Sequence, residues 1–576
     1  MGTTTGGELV ARTLVDLGVT HAFGVHGGHL DPLLTALDAL GVTLVDTRHE
    51  AAAGNAAEGY ARATGGLGVA FATSGPGFTN AYAALANAYI DRIPILLLTS
   101  SPPLREAELN VLQGGLDQVA AARTVAKWAH RATTAARLPD LVALAVRHAT
   151  TGVPGPAVLD IPIDVMYRKI DEAVATRPSL TMPTPPAPAS AALRRMVELL
   201  RTARRPVLVL GGGAALSRDV RPALEALLDQ VRIPVVTTSW GHGQISPDHP
   251  CALGGSGALA ALPFLAERPD LFVLLGARQG ITLGARSGSM IAPGTPVVHV
   301  DVDGVEPGRL GEVELSVVAD VGETLRTLAL AAAAGDLPDW EDWNTATRAA
   351  VGAHALMYAD APAVTPSGRL HPYHVARELT EALEDDAVVV YDGGETAGWI
   401  NFFARAHRPR SWFGLGMMGG LGVGQGFAIG AQCARPGAQV VLVTGDGAVG
   451  FHLQEFDTMA RHRLPVTTVV YNNLSWGMSL HGQQAIYGEK TSVAVELPDT
   501  RYDLIAAAMG LYAERVDDLA QVRPALRRAR ESGRPACLDV AIAADVVHPM
   551  MAPLTADLPD GSIRVPYYEA IPSGEG

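Results

Sequence analysis

Short runs of almost unbroken apolar residues recur along the whole chain, each closed by a glycine-rich or polar turn and followed by a longer helical stretch. Residues 68–73 (GVAFAT) and 93–99 (IPILLLT) come first. Residues 206–210, 271–275 and 296–300 follow, and 387–391, 439–443 and 466–470 close the series. A strand that is apolar on both faces must be covered on both. Such strands alternating with helices predict α/β domains built on doubly wound parallel sheets. Ligands of such sheets sit at the carboxyl ends of the strands, where the glycine-rich turns lie. Two stretches interrupt the series. Residues 178–190 (PSLTMPTPPAPAS) are rich in proline, and 338–372 mix Trp, Asp, Ala, Pro and Gly with no clear strand. Proline fixes φ and removes a donor, so both read as linkers. The expected domains are 1–180, 190–335 and 365–555, followed by a tail at 556–576 that could act as a lid.

Composition narrows the function classes. The 576 residues are 48% apolar and 18% charged, enough for large cores. A formal charge of −15 repels phosphate backbones, so no general nucleic-acid partner is expected. Cys251, Cys433 and Cys537 are far apart and form no CxxC pair, which suggests neither a disulfide framework nor a zinc site. Residues 8–17 (ELVARTLVDL) read as an amphipathic helix rather than a targeting segment. No stretch approaches the ~20 apolar residues that span a bilayer. The expectation is a soluble cytoplasmic protein with no membrane partner.

The third block carries the sharpest motif. After the strand at 439–443 come Thr444, Gly445, Asp446, Gly447 and Ala448, then Val449, Leu453, Phe456 and Ala460 at helical spacing. The glycines allow backbone to approach a ligand, and a helix start offers free N–H groups to an anion. On its own the motif fits a plain strand-to-helix turn equally well. The next strand ends in 471–477 (YNNLSWG), after roughly two dozen residues, enough for the helix and return strand of a right-handed crossover. Asp446 and Asn473 then come from adjacent strand ends. With a backbone carbonyl near Ser475 they offer the hard oxygen ligands that magnesium takes.

This GDG-to-NN pattern resembles the diphosphate-and-metal signature of thiamine-diphosphate enzymes. Residues 47–62 (TRHEAAAGNAAEGYAR) resemble a second segment of that superfamily, and 73–80 (TSGPGFTN) a third. The resemblance implies thiamine diphosphate and Mg2+ as cofactors. It implies that Glu50 contacts the aminopyrimidine ring and favours the tautomer that removes the weakly acidic thiazolium proton, a task suited to a partly desolvated carboxyl. It also implies a homodimer or homotetramer, because relatives pair the first block of one chain with the third block of another.

Within the superfamily the chain most resembles the benzaldehyde lyase type, with some resemblance to 2-hydroxyacyl-CoA lyases and acetolactate synthase-like enzymes. The likeness rests on residues 6–14, 23–29 (FGVHGGH), 46–54, 111–118 (VLQGGLDQ), 127–130 (KWAH), 419–424 (GGLGVG), 473–477 and 481–484 (HGQQ). It implies that His29 is the main acid–base group, that Gln113 orients substrate oxygen, and that His26 is either accessory or structural. It implies that Gly419 offers its carbonyl to the pyrimidine and that Leu421 holds the cofactor bent. Glu395, Thr396, Gly445, Asp446, Gly447, Ala448, Asn473, Ser475, Trp476, Gly477 and Met478 complete the implied cofactor set. Gly28, Leu112, Ile163, Ala397 and His481 make up the implied substrate pocket. The chain departs from that type at four places. Ile163 and Ala397 stand for bulky aromatic residues, Gly28 for alanine, and Glu395 for an apolar residue, facing either solvent or cofactor. The expected pocket is therefore wider and more polar, suited to small aldehydes, hydroxy ketones or hydroxyacyl substrates. In the middle block, 210–213 (LGGG) lacks a full dinucleotide fingerprint, and no bound group is expected there. The expected activity is a lyase and carboligase that cleaves or forms the C–C bond of 2-hydroxy ketones (acyloins). The alternatives are a 2-hydroxyacyl-CoA lyase, which calls for a basic patch in the middle domain, and an acetolactate synthase-like decarboxylating synthase.

Overall fold

The apolar runs form the centres of three six-stranded parallel sheets, each flanked by helices, in a computed structural model that describes residues 2–264, 267–285, 287–356, 358–554, 562–563 and 571–572. In the first sheet the spatial order is Thr43–Asp46, His21–Gly24, Gly68–Ala72, Ile95–Ser101, Ala157–Pro162, Trp128–Arg131. In the third it is Trp412–Gly414, Val388–Asp392, Val440–Gly445, Thr467–Asn472, Ala536–Ala541, Tyr512–Val516. Counted within each domain, both sheets run 2-1-3-4-6-5, so the two share a fold although their sequences show no repeat. The middle sheet runs Ala252–Gly255, Val235–Thr237, Pro206–Leu210, Leu271–Leu275, Val297–Asp301, Leu315–Val318, the 3-2-1-4-5-6 order of dinucleotide-binding folds. In each sheet the chain reverses its winding beside the first strand, opening a crevice at the carboxyl edge.

The first and third domains dock through the helices Glu50–Thr64 and Val423–Ala434, and small residues let their backbones touch. A Cβ on Gly59 would stand 2.3 Å from the carbonyl oxygen of Phe427, and one on Gly430 would stand 2.0 Å from that of Ala56. Neither neighbour is a side-chain tip that can swing away. Gly430→Ala should therefore destabilise the protein by about 1–3 kcal/mol, the usual cost of overpacking, read as a lower denaturation midpoint. A variant as stable as the parent would contradict this crossing. Arg62, on the same helix, ties the three domains together. It pairs with Asp91 at 2.8 Å and with Glu58, and its guanidinium lies over Trp240 of the middle domain and Phe427 of the third.

The N-terminal helix runs Gly6–Asp16, held by reciprocal bonds between Thr5 and Glu8. The stretch 338–372 is not simply a linker, because it contains the helix Glu341–Ala355. Trp340 and Trp343 are buried in the middle-domain core, and their indole N–H groups donate to the carbonyls of Ala203 and Pro206. Two indoles anchor a helix whose flanking prolines and mixed composition suggested none. Of the tail, only the paired segments Ser562–Ile563 and Ile571–Pro572 are described, and the aromatic pair at 567–568 lies outside the described residues. No helix among the described residues is long and apolar enough to cross a membrane.

Candidate active site

In the third domain the turn residues of three adjacent strands converge. Asp392 stands opposite Thr444, and Gly445 opposite Tyr471, so the segments starting at Gly393, Asp446 and Asn473 share one edge. The glycines are needed for contact. A Cβ on Gly394 would meet Met478 Sδ at 2.7 Å, and one on Gly447 would meet the Trp476 ring at 2.6 Å. Gly445 lies against the Thr396 hydroxyl. Asp446 is 3% exposed. Its Oδ1 accepts from the N–H of Gly447 and its Oδ2 from that of Leu474, at 2.9 and 2.8 Å. Burial outweighs these donors and pushes its pKa up to about 7. A buried carboxylate surrounded by backbone dipoles alone is stabilised by a cation.

Nearby oxygens suit a hard cation. Asn473 Oδ1 accepts from the Ser475 N–H at 3.2 Å, and Ser475 Oγ is buried with no hydrogen-bond partner. Among the described residues no group of three or more His, Cys, Asp or Glu stands ready for a metal. A magnesium ion here could be held by Asp446, Asn473 and Ser475, with diphosphate and water completing its shell. The helix expected to run on through Ala460 is broken into Asp446–Val449 and Glu455–Arg461. Between them His452 Nδ1 donates to the carbonyl of Gly422 at 2.7 Å. Four residues add little macrodipole, so an anion would rely on the free N–H groups of the turn. Gly419, at φ +65°, and half-buried Leu421 lie on the loop after Trp412–Gly414 at the same edge.

The corresponding crevice of the first domain holds a second group. Ser74 follows the third strand and His29 follows the first. The Ser74 hydroxyl donates to Gln113 Oε1 at 2.8 Å and contacts His29 Nδ1 at 2.9 Å. A hydroxyl has one proton to give, so His29 Nδ1 must be the donor to Ser74. Nε2 then carries the lone pair. Burial lowers the pKa of His29, which favours this neutral base form. Gln113 is held at φ +60°, packed against Gly75. Glu50, 9% exposed, begins the helix Glu50–Thr64, and its Oε2 accepts from Asn80 Nδ2 at 2.9 Å. His26 points elsewhere, exposed and bonded to Asp31. Ser74 was not singled out from the sequence, where it reads as part of a glycine turn. Nothing in the sequence shows that its hydroxyl lies between the side chains of His29 and Gln113.

The expected pocket residues fall in different surroundings. A Cβ on Gly28 would meet only Asp31 Oδ2, at 3.9 Å, so space exists there. Tyr167 Oη donates to the Gly28 carbonyl from the turn after Ile163–Met166. Leu112 is 87% exposed. Ala397 is buried and belongs to the apolar cluster that includes Tyr391, Trp399 and Ile400. Glu395 does not face solvent. It is 7% exposed, and its Oε1 lies 2.6 Å from His481 Nδ1. Among the described residues, no hydrogen bond or ion pair joins the group of Glu50, His29, Ser74 and Gln113 to that of Glu395, Asp446, Asn473 and His481.

Comparison with known proteins agrees with this geometry. Residues 4–121 match the N-terminal TPP binding domain of the thiamine pyrophosphate enzymes, 193–328 the central domain, and 392–540 the C-terminal TPP binding domain. A probable acetolactate synthase of Mycobacterium bovis is 35% identical over 546 residues, covering 94% of this chain and 96% of that protein. A 2-hydroxyacyl-CoA lyase 2 of Caenorhabditis elegans is 31% identical over 552 residues, covering 89% and 84%. The human protein of the same description is 29% identical over 603 residues, covering 97% and 92%.

Proposed function

The chain belongs to the thiamine pyrophosphate enzymes, and on that premise we propose that it is a carbon–carbon lyase and carboligase, splitting a 2-hydroxy ketone into two aldehydes and joining them in reverse. The His29–Ser74–Gln113 chain carries this reading. Breaking the bond between a carbonyl carbon and a hydroxyl-bearing carbon requires the hydroxyl to lose its proton, and His29 Nε2 presents a lone pair for it. Decarboxylation of a 2-keto acid needs no such base, since carbon dioxide leaves without giving up a proton. When bound, thiamine diphosphate supplies the nucleophilic carbon and the electron sink.

The chain's residues then divide the remaining work. Glu50 holds a proton at the aminopyrimidine, with Asn80 fixing its carboxyl. Thr396, Gly445, Gly447, Ala448, Trp476, Gly477 and Met478 form the bed for the diphosphate, and Asp446, Asn473 and Ser475 hold magnesium. Gly419 and Leu421 border the ring-bearing end. His29 takes the substrate proton and returns it when the bond is re-formed. The two groups lie on different domains and are not joined by a hydrogen bond or ion pair among the described residues of one chain. A second copy that sets its first domain against the third domain of this one would unite them, giving a homodimer. Exposed apolar residues beside the crevices, including Leu109, Leu112, Met418, Phe451 and Tyr487, suit such burial.

The relatives named as 2-hydroxyacyl-CoA lyases support a second reading, in which a thioester replaces the ketone. Against it stands one edge of the middle domain, where the acidic Asp301, Asp303 and Glu306 engage Arg92 of the first domain, so that this cation is not offered to an ADP group. Ser74→Ala tests the preferred reading. It should lower kcat for cleavage of a 2-hydroxy ketone by about tenfold or more while leaving cofactor affinity unchanged. A variant with parental kcat would remove the argument for His29 as the base.

A further inference from the structure

Glu395 and His481 form a buried pair that the catalytic reading leaves unused. Glu395 starts the helix Gly394–Asn401 beside the first strand of the third domain, and His481 lies on the helix Gly477–Tyr487 that follows the Asn473 turn. Their side chains are 7% and 2% exposed. His481 Nε2 lies 2.8 Å from the carbonyl oxygen of Ala544. A carbonyl only accepts, so Nε2 carries a proton. The 2.6 Å contact between Nδ1 and Glu395 Oε1 then needs a proton of its own. The pair is either imidazolium with carboxylate or imidazole with carboxylic acid, and in both forms its net charge is zero.

That neutrality has a consequence beside a diphosphate site. A lone carboxylate there would repel the diphosphate, whereas this pair places a strong acceptor in the crevice without adding net charge. The second oxygen, Glu395 Oε2, has no hydrogen-bond partner among the described residues. It stands 3.9 Å from where a Cβ on Gly477 would be, facing the first turn of the helix that borders the crevice. Around the pair, Tyr358 adds no cation that would neutralise Oε2, and its own ionisation is disfavoured by burial and by Glu395.

We propose that Glu395, held by His481, is a specificity-determining residue whose free oxygen accepts a hydrogen bond from a hydroxyl on the carbon next to the reacting carbonyl. This rests on the carbon–carbon lyase reading and names its substrate class as 2-hydroxyaldehydes and the hydroxy ketones made from them. The same oxygen disfavours the carboxylate of a 2-keto acid, which would face it with a second acceptor.

The test compares hydroxyacetaldehyde with propanal in the ligation direction, since the two have the same number of non-hydrogen atoms and differ in one hydroxyl. The ratio of kcat/KM for the first over the second should fall about tenfold or more in Glu395→Leu, as expected for loss of a buried hydrogen bond, and by less in Glu395→Gln, whose amide oxygen can still accept. Thiamine diphosphate affinity is measured separately, so that a loss of cofactor binding is distinguished from a loss of hydroxyl selectivity. The imidazole 15N resonances should show a strongly hydrogen-bonded Nδ1 on His481 in the parent, and a bare Nδ1 beside a protonated Nε2 in Glu395→Leu. A ratio unchanged in Glu395→Leu, or one that falls only because cofactor affinity falls, overturns the proposal. A parent that ligates neither aldehyde overturns the lyase reading, and this inference with it.

Discussion

Glu50→Gln is expected to slow the exchange of the acidic thiazolium proton of bound thiamine diphosphate with deuterated solvent by about 100-fold to 10,000-fold, the range for loss of a positioned acid–base group. The substitution keeps the size of the side chain and its ability to accept from Asn80 Nδ2, so cofactor binding should persist while proton transfer fails. The setting supports a large effect. Glu50 is the first residue of its helix and is nearly buried, and Gly77 packs close to its Oε1, at 3.5 Å from an added Cβ. Rapid-quench exchange followed by NMR reads the rate directly. Exchange at the parental rate would mean that another group activates the cofactor and that Glu50 serves only the helix start.

Asp446→Asn should weaken magnesium-dependent retention of thiamine diphosphate by about 100-fold or more, the scale of removing one member of a buried charge pair. Asparagine retains one oxygen to accept from Gly447 or Leu474, so the turn should keep its shape and the variant its fold. The lost charge is the one feature with no other source nearby, since the remaining oxygens, on Asn473 and Ser475, are neutral. Calorimetric titration of the variant with cofactor, with and without magnesium, separates the two contributions. Equal affinity in parent and variant, with the same magnesium dependence, would show that the cation sits elsewhere.

Much of this site could be read in advance because its residues sit at the ends of apolar strands. Asp446 follows one such strand and Asn473 the next, so the sheet itself brings them together. Glu50 and His29 instead came from the family resemblance, and the fold places them after the second and first strands of the first domain. Pairs far apart in the chain could not be read that way. Glu395 and His481 are 86 positions apart, and no periodicity links one helix start to the second turn of another. Ser74 was hidden for a related reason, since a hydroxyl in a glycine turn has many possible partners and only the folded crevice selects His29 and Gln113. The helix after Ala448 was overdrawn because apolar spacing continues through Gly450, where the chain instead turns so that His452 can reach the Gly422 carbonyl.

The most direct measurement is product analysis on one preparation of the protein with thiamine diphosphate and magnesium, offered a 2-hydroxy ketone in one reaction and pyruvate in another. Aldehyde and carbon dioxide are both quantified. The account predicts two aldehydes for each hydroxy ketone consumed, and little or no carbon dioxide from pyruvate. Steady release of carbon dioxide from pyruvate, with the hydroxy ketone left intact, would contradict it.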